Sequence, residues 1–135
     1  MQKTRLLLVD DEQVFLANTA QRFARRNVDV ETASNGAQAL ELLNSMAFDV
    51  AVLDISMPGM GGLKLLEKLR GIAPQTEVIL LSGYASTETA LRGLALGASE
   101  YMLKPVPFDE LYFKVVEAAR TAETLGASGE DNEHS

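Results

Sequence analysis

Apolar positions along this chain follow two patterns that take turns from one end to the other. Leu6-Leu7-Leu8-Val9, Val50-Ala51-Val52-Leu53 and Val78-Ile79-Leu80-Leu81 are unbroken apolar runs, the pattern of strands buried on both faces, as in a parallel sheet. Val28-Asp29-Val30-Glu31-Thr32-Ala33 alternates, which marks a strand with one wetter face and therefore a sheet edge. Tyr101-Met102-Leu103 forms a short last strand. The stretches between recur at helical spacing: Leu16, Ala20, Phe23 and Ala24; Leu40 and Leu43; Leu65, Leu66, Leu69 and Ile72; Ala90, Leu91 and Leu94; then Phe108, Leu111, Tyr112, Val115, Val116 and Ala119. Asn35 and Ser86 stand where helix caps belong, Pro74 and Gly97 where helices stop, and Arg22, Arg25 and Arg26 near a C-terminus that favours them.

Strand and helix thus alternate through five β-α units. Right-handed crossovers convert that order into an α/β fold, a doubly wound parallel sheet with helices on both faces. The unbroken strands belong in the middle and the alternating and short ones at the edges, which the order 2-1-3-4-5 satisfies. From Leu125 onward, Gly-Ala-Ser-Gly-Glu-Asp-Asn-Glu-His-Ser has no apolar periodicity. The expectation is one domain over residues 1–124, with 125–135 a disordered acidic tail or the start of a linker. No second periodic region follows, so no output domain is expected here.

Composition narrows the chemistry. The chain has 135 residues, 47% of them hydrophobic and 23% charged, the profile of an ordinary globular domain. No apolar run is long enough to span a bilayer or serve as a signal peptide, so a cytoplasmic protein without membrane contact is expected. Cysteine is absent, which removes disulfides and thiolate chemistry. The single histidine, His134, lies in the polar tail, which argues against a histidine triad or a multi-histidine metal site. A net charge of −7 argues against nucleic-acid binding by this segment.

What remains is a set of polar residues at strand ends. The first strand ends at Asp10-Asp11, the third at Asp54, the fourth at Ser82 and the fifth at Lys104. In a parallel sheet these ends share one edge, where ligands bind. Carboxylates gathered there repel unless a cation joins them, and oxygen ligands of this kind suit Mg²⁺. Lys104 offers a point charge and Ser82 a hydroxyl, both suited to gripping phosphoryl oxygens.

Leu8-Val9-Asp10-Asp11-Glu12, Leu53-Asp54-Ile55-Ser56-Met57-Pro58-Gly59-Met60, Leu81-Ser82-Gly83-Tyr84 and Tyr101-Met102-Leu103-Lys104-Pro105 together resemble the receiver domain of two-component response regulators, over about residues 4 to 122. The resemblance implies a flavodoxin-like receiver fold and a phosphoryl group accepted on Asp54 from the phosphohistidine of a sensor histidine kinase or phosphotransfer protein. It implies Mg²⁺ bound by Asp11, Asp54 and the Ser56 backbone carbonyl, with Asp10 contributing through water. It makes Lys104 the phosphoryl clamp, Ser82 and Tyr101 the switch pair, and Lys104-Pro105 a cis peptide. The surface formed by the helix after Ser86, strand five and the last helix would bind an output partner or a second copy. Such a domain is not an enzyme beyond its own phosphorylation and dephosphorylation. Ser82 stands where Thr is commoner, and Gly61 where the family usually has a polar residue. Tyr84 lies where it would flank the approach of water to a phosphorylated Asp54.

Competing functions each conflict with residues the chain carries. A haloacid-dehalogenase-type phosphatase needs a second carboxylate two residues after its nucleophile, and Ser56 stands there. A flavodoxin-like cofactor binder needs a phosphate-accepting loop after the first strand, where Asp10-Asp11-Glu12 would repel phosphate. A receiver that signals by binding alone would lack part of the acid-lysine set, which is complete.

Overall fold

The computed structural model describes residues 3–57, 59–83 and 86–134, with side chains described as far as residue 122. In chain order the elements are β1 (Arg5–Val9), α1 (Gln13–Arg25), β2 (Asp29–Ala33), α2 (Gly36–Ser45), β3 (Val50–Asp54), α3 (Gly62–Ile72), β4 (Glu77–Ser82), α4 (Thr87–Ala95), β5 (Glu100–Leu103) and α5 (Phe108–His134). The sheet order is β2-β1-β3-β4-β5 with every pairing parallel. The alternating strand and the short strand are the edges, as the sequence pattern predicts.

Period-two geometry splits the central strands between two cores. Leu7, Val9, Ala51, Leu53, Val78 and Leu80 pack with Ala39 and Leu43 of α2 and Leu65, Leu66 and Leu69 of α3. Leu6, Leu8, Val50, Val52, Ile79 and Leu81 pack with Leu16 and Phe23 of α1 and Leu111 and Val115 of α5. Unbroken apolar strands are required because both faces are covered. Along the α1–α5 seam the rings of Phe23 and Phe108 meet edge-on at 4.9 Å, and the Arg22 guanidinium lies 4.4 Å from the Phe108 centroid. The Asn35 side chain accepts from the Gln38 N–H and Ser86 from Thr89, so both expected caps form. Gly97 ends α4 with φ +103°.

Four helical expectations change. Leu91 and Leu94 of α4 are 62% and 46% exposed, and the buried residue of that helix is Gly93. A Cβ at Gly93 would stand 2.4 Å from Leu80 Cδ1, so α4 approaches the sheet through its smallest residue and turns its leucines outward. In α1 the stripe runs through Thr19, which is buried, while Ala24 is exposed. Ile72, the last residue of α3, is 40% exposed, and the core stripe ends at Leu69. Finally, α5 continues to His134 rather than ending near Leu125.

Close backbone approach beneath the β3 end makes one prediction. A Cβ on Gly62 would lie 2.5 Å from the Asp54 carbonyl oxygen and 2.8 Å from Ile55 Cα, so Gly62→Ala forces backbone to move. A loss of about 1–3 kcal/mol is expected in denaturant unfolding; an unchanged midpoint would contradict this packing. Gly61 has φ −73° as the α3 N-cap, so its backbone needs no glycine, whereas Gly59, at φ +76°, does.

Candidate functional site

Each acidic side chain reaches the site because an apolar strand delivers it. β1 is buried through Val9, and Asp10, the next residue, is 0% exposed. Its N–H donates to the Ala33 carbonyl at 3.1 Å, which carries the β1–β2 ladder one step past the strand. Asp11 follows as an exposed residue. β3 ends on Asp54, only 3% exposed. One carboxylate oxygen from each of Asp10, Asp11 and Asp54 lies within 4.8 Å of the others.

Lys104 arrives from the far side of the sheet, directly after β5. Its N–H donates to the Ser82 carbonyl at 2.8 Å, and the Lys104-Pro105 peptide is cis. Its ammonium lies 2.6 Å from Asp10 Oδ2, 3.2 Å from Glu12 Oε1 and 4.0 Å from Asp54 Oδ2. The Phe15 ring centroid is 4.7 Å from the same nitrogen, close enough for a cation–π contact. Asp10 is therefore the paired carboxylate. Its other oxygen accepts the Glu12 N–H at 2.9 Å.

Asp54 is less well compensated. Its Oδ1 accepts the Ser56 N–H at 3.1 Å. Burial is the largest influence and pushes its carboxyl above the usual value; the charge of Asp10 and a hydrogen bond from Asp11 act the same way, against the Ser56 N–H and the Lys104 charge. For Lys104, burial pulls the ammonium down, but the hydrogen bond and charge of Asp10, with Asp54 and Glu12, outweigh it and hold the value above normal. A crowded, partly uncompensated carboxylate set facing solvent through Asp11 is what an oxygen-ligated divalent cation relieves. The residues present fit Mg²⁺.

Ser82 reaches the same edge as the last residue of β4 and is 2% exposed. β4 pairs Ser82 with Leu103 and Leu80 with Tyr101, so all four belong to one face of the sheet. Asp54 pairs with Leu81, which faces the α1–α5 core. Alternation therefore sets Ser82 and Tyr101 on the α2–α4 side and Asp54 on the other, with the strand end between them. Tyr101 is partly buried against the core that includes Leu80. Tyr84, singled out in the sequence, lies outside the described residues. Glu12 and Phe15 were not singled out for contact with Lys104. Their signal was adjacency: Glu12 follows the Asp10-Asp11 pair, and Phe15 sits in the first turn of the helix that begins there.

Comparison with known proteins adds the following. The model of the response regulator receiver domain matches residues 6–116. Regulatory protein AtoC of Escherichia coli (strain K12) is 40% identical over 107 residues, covering 79% of this chain and 23% of that protein. Regulator of RpoS from the same organism is 38% identical over 102 residues, covering 76% of this chain and 30% of that protein. The chain thus spans about a quarter of the length of these curated relatives. Among solved structures, a response regulator receiver domain protein from Methanospirillum hungatei JF-1 superposes with a TM-score of 0.88 at 33% identity, covering 91% of this chain and 98% of that one. A response regulator from Burkholderia pseudomallei, solved with a phosphorylated aspartic acid, calcium ion and citrate, gives 0.79 at 29% identity over 94% of this chain and 73% of that one.

Proposed function

The chain belongs to the response regulator receiver domain family, and on that footing we propose that Asp54 is its phosphoacceptor, taking a phosphoryl group from the phosphohistidine of a sensor histidine kinase or phosphotransfer protein. It is a receiver domain of two-component response regulators. The observation behind it is the juxtaposition of the Asp10, Asp11 and Asp54 carboxylates, within 4.8 Å, with a lysine ammonium 4.0 Å from Asp54.

Asp54 Oδ2 attacks phosphorus, the new O–P bond forms as the P–N bond to the donor histidine breaks, and the imidazole leaves with the bonding pair. Most of the catalysis in such a transfer is positioning and charge neutralisation. The Ser56 N–H holds Asp54 Oδ1 and so fixes which oxygen is presented. Lys104 supplies positive charge beside the phosphoryl oxygens, which carry the negative charge. Mg²⁺, held by Asp11, Asp54 and the Ser56 carbonyl with Asp10 contributing through water, would neutralise charge shared by donor and acceptor. Incubation with acetyl phosphate should add one phosphoryl group by intact mass, and neither Asp54→Ala nor the wild type in EDTA should gain it. A phosphorylated Asp54→Ala protein would overturn the assignment.

The consequence of phosphorylation is a switch. Phosphoryl oxygens on Asp54 offer the Ser82 hydroxyl a charge-assisted hydrogen bond. Movement of Ser82 frees space on the face it shares with Tyr101, coupling the site to the surface of α4, β5 and α5. Exposed Leu91 and Leu94 on α4 and Leu103 on β5, 49% exposed, make that surface apolar enough to bind an output partner or a second copy. Beryllofluoride with Mg²⁺ should shift the Tyr101 and α4 amide resonances strongly in the wild type and weakly in Ser82→Ala; equal shifts would break the coupling. Residues 1–124 form the functional unit in this reading. Among the described residues no helix is long and apolar enough to cross a membrane.

A further inference from the structure

We propose that Glu12 is a positioning residue for phosphorylation: it holds the Lys104 ammonium as a resting partner that competes with a phosphoryl group on Asp54. The inference rests on Asp54 being the phosphoacceptor. An ammonium has three hydrogen-bond donors. Here Asp10 takes one at 2.6 Å and Glu12 another at 3.2 Å, while Asp54 lies beyond hydrogen-bond reach at 4.0 Å. Two of its three donors are thus turned away from Asp54.

The two resting partners are not equivalent. The Asp10 side chain is 1% exposed and that of Glu12 65%, so Asp10 has no solvent to replace the lysine, whereas Glu12 has. Glu12 is therefore the one that yields. Its own placement is fixed by the backbone: its N–H donates at 2.9 Å to Asp10 Oδ1, the oxygen opposite the one that binds Lys104. It also occupies the N-cap position of α1 without making a side-chain capping bond, so its carboxylate is directed to Lys104 rather than to the helix end. Phe15, in the first turn of α1, carries the ammonium at 4.7 Å from its centroid, leaving a cationic head that exchanges acidic partners over the ring.

Removing the Glu12 contact should let Lys104 engage the phosphoryl site more readily. At saturating Mg²⁺, beryllofluoride should bind Glu12→Gln about two- to five-fold more tightly than wild type, the range an exposed ion pair carries. Glu12→Asp is the decisive variant. It keeps the charge but is one methylene too short to reach Lys104, and it should tighten binding like Glu12→Gln. Wild-type affinity in Glu12→Asp with tightening in Glu12→Gln would mean simple repulsion of the anion and would overturn the inference; so would wild-type affinity in both. In the protein without metal or beryllofluoride, the Lys104 ε-methylene resonance should move in both variants, and an unmoved resonance would also overturn it. A wild type that binds no beryllofluoride would remove the phosphoacceptor reading itself, and this inference with it.

Discussion

Lys104→Met is expected to lower the stability of the metal-free protein by about 3 kcal/mol, the scale for removing one member of a buried ion pair. The reason is Asp10, 0% exposed, whose Oδ2 loses its ammonium partner at 2.6 Å. For a chain of 135 residues this should appear as a fall in Tm of roughly 10 °C. Saturating Mg²⁺ should restore part of the loss, because a divalent cation returns positive charge to the same carboxylates. An unchanged melting curve would show that Asp10 does not depend on Lys104.

Asp54→Asn should act in the opposite direction. The Asp54 carboxyl is held above its ordinary value of 3.8 by burial and by Asp10, with a further contribution from Asp11. The folded state therefore holds a proton more tightly than the unfolded chain, so ionisation weakens folding. That penalty is complete above the raised folded value and absent below 3.8. Near neutral pH in EDTA, Asp54→Asn should be more stable by about 1–3 kcal/mol, the scale of an imperfectly compensated buried polar group. The gain should vanish as pH falls through the window between the two values. Mg²⁺ should stabilise the wild type more than the variant. A variant no more stable at neutral pH would mean that Asp54 is not under electrostatic strain.

Opposite signs within one site follow from how the sequence builds it. Unbroken apolar strands and one alternating strand specify which strands are central, and strand ends then bring Asp10, Asp54, Ser82 and Lys104 to one edge. That much is legible because period-two alternation and parallel pairing leave few arrangements. The orientation of α4 was not legible. Leu91 and Leu94 lie at helical spacing, but Gly93 decides which side meets the sheet, since a Cβ there would stand 2.4 Å from Leu80 Cδ1. Apolar spacing gives a stripe; only close packing says whether the stripe is buried. The pairing of Lys104 was likewise hidden. Strand ends place it near all three carboxylates, yet its partners at hydrogen-bond distance are Asp10 and Glu12, and Glu12 depends on the backbone turn after β1.

The account turns on one covalent bond, the acyl phosphate at Asp54. Borohydride reduces an acyl phosphate to an alcohol, turning a phosphorylated aspartate into homoserine and leaving other carboxylates intact. The protein should be phosphorylated with acetyl phosphate and Mg²⁺, reduced, digested and sequenced by tandem mass spectrometry. The account predicts homoserine at position 54, with Asp10 and Asp11 unchanged and no conversion in EDTA. Homoserine at position 10 or 11, or none anywhere in a protein that folds and binds Mg²⁺, would contradict it.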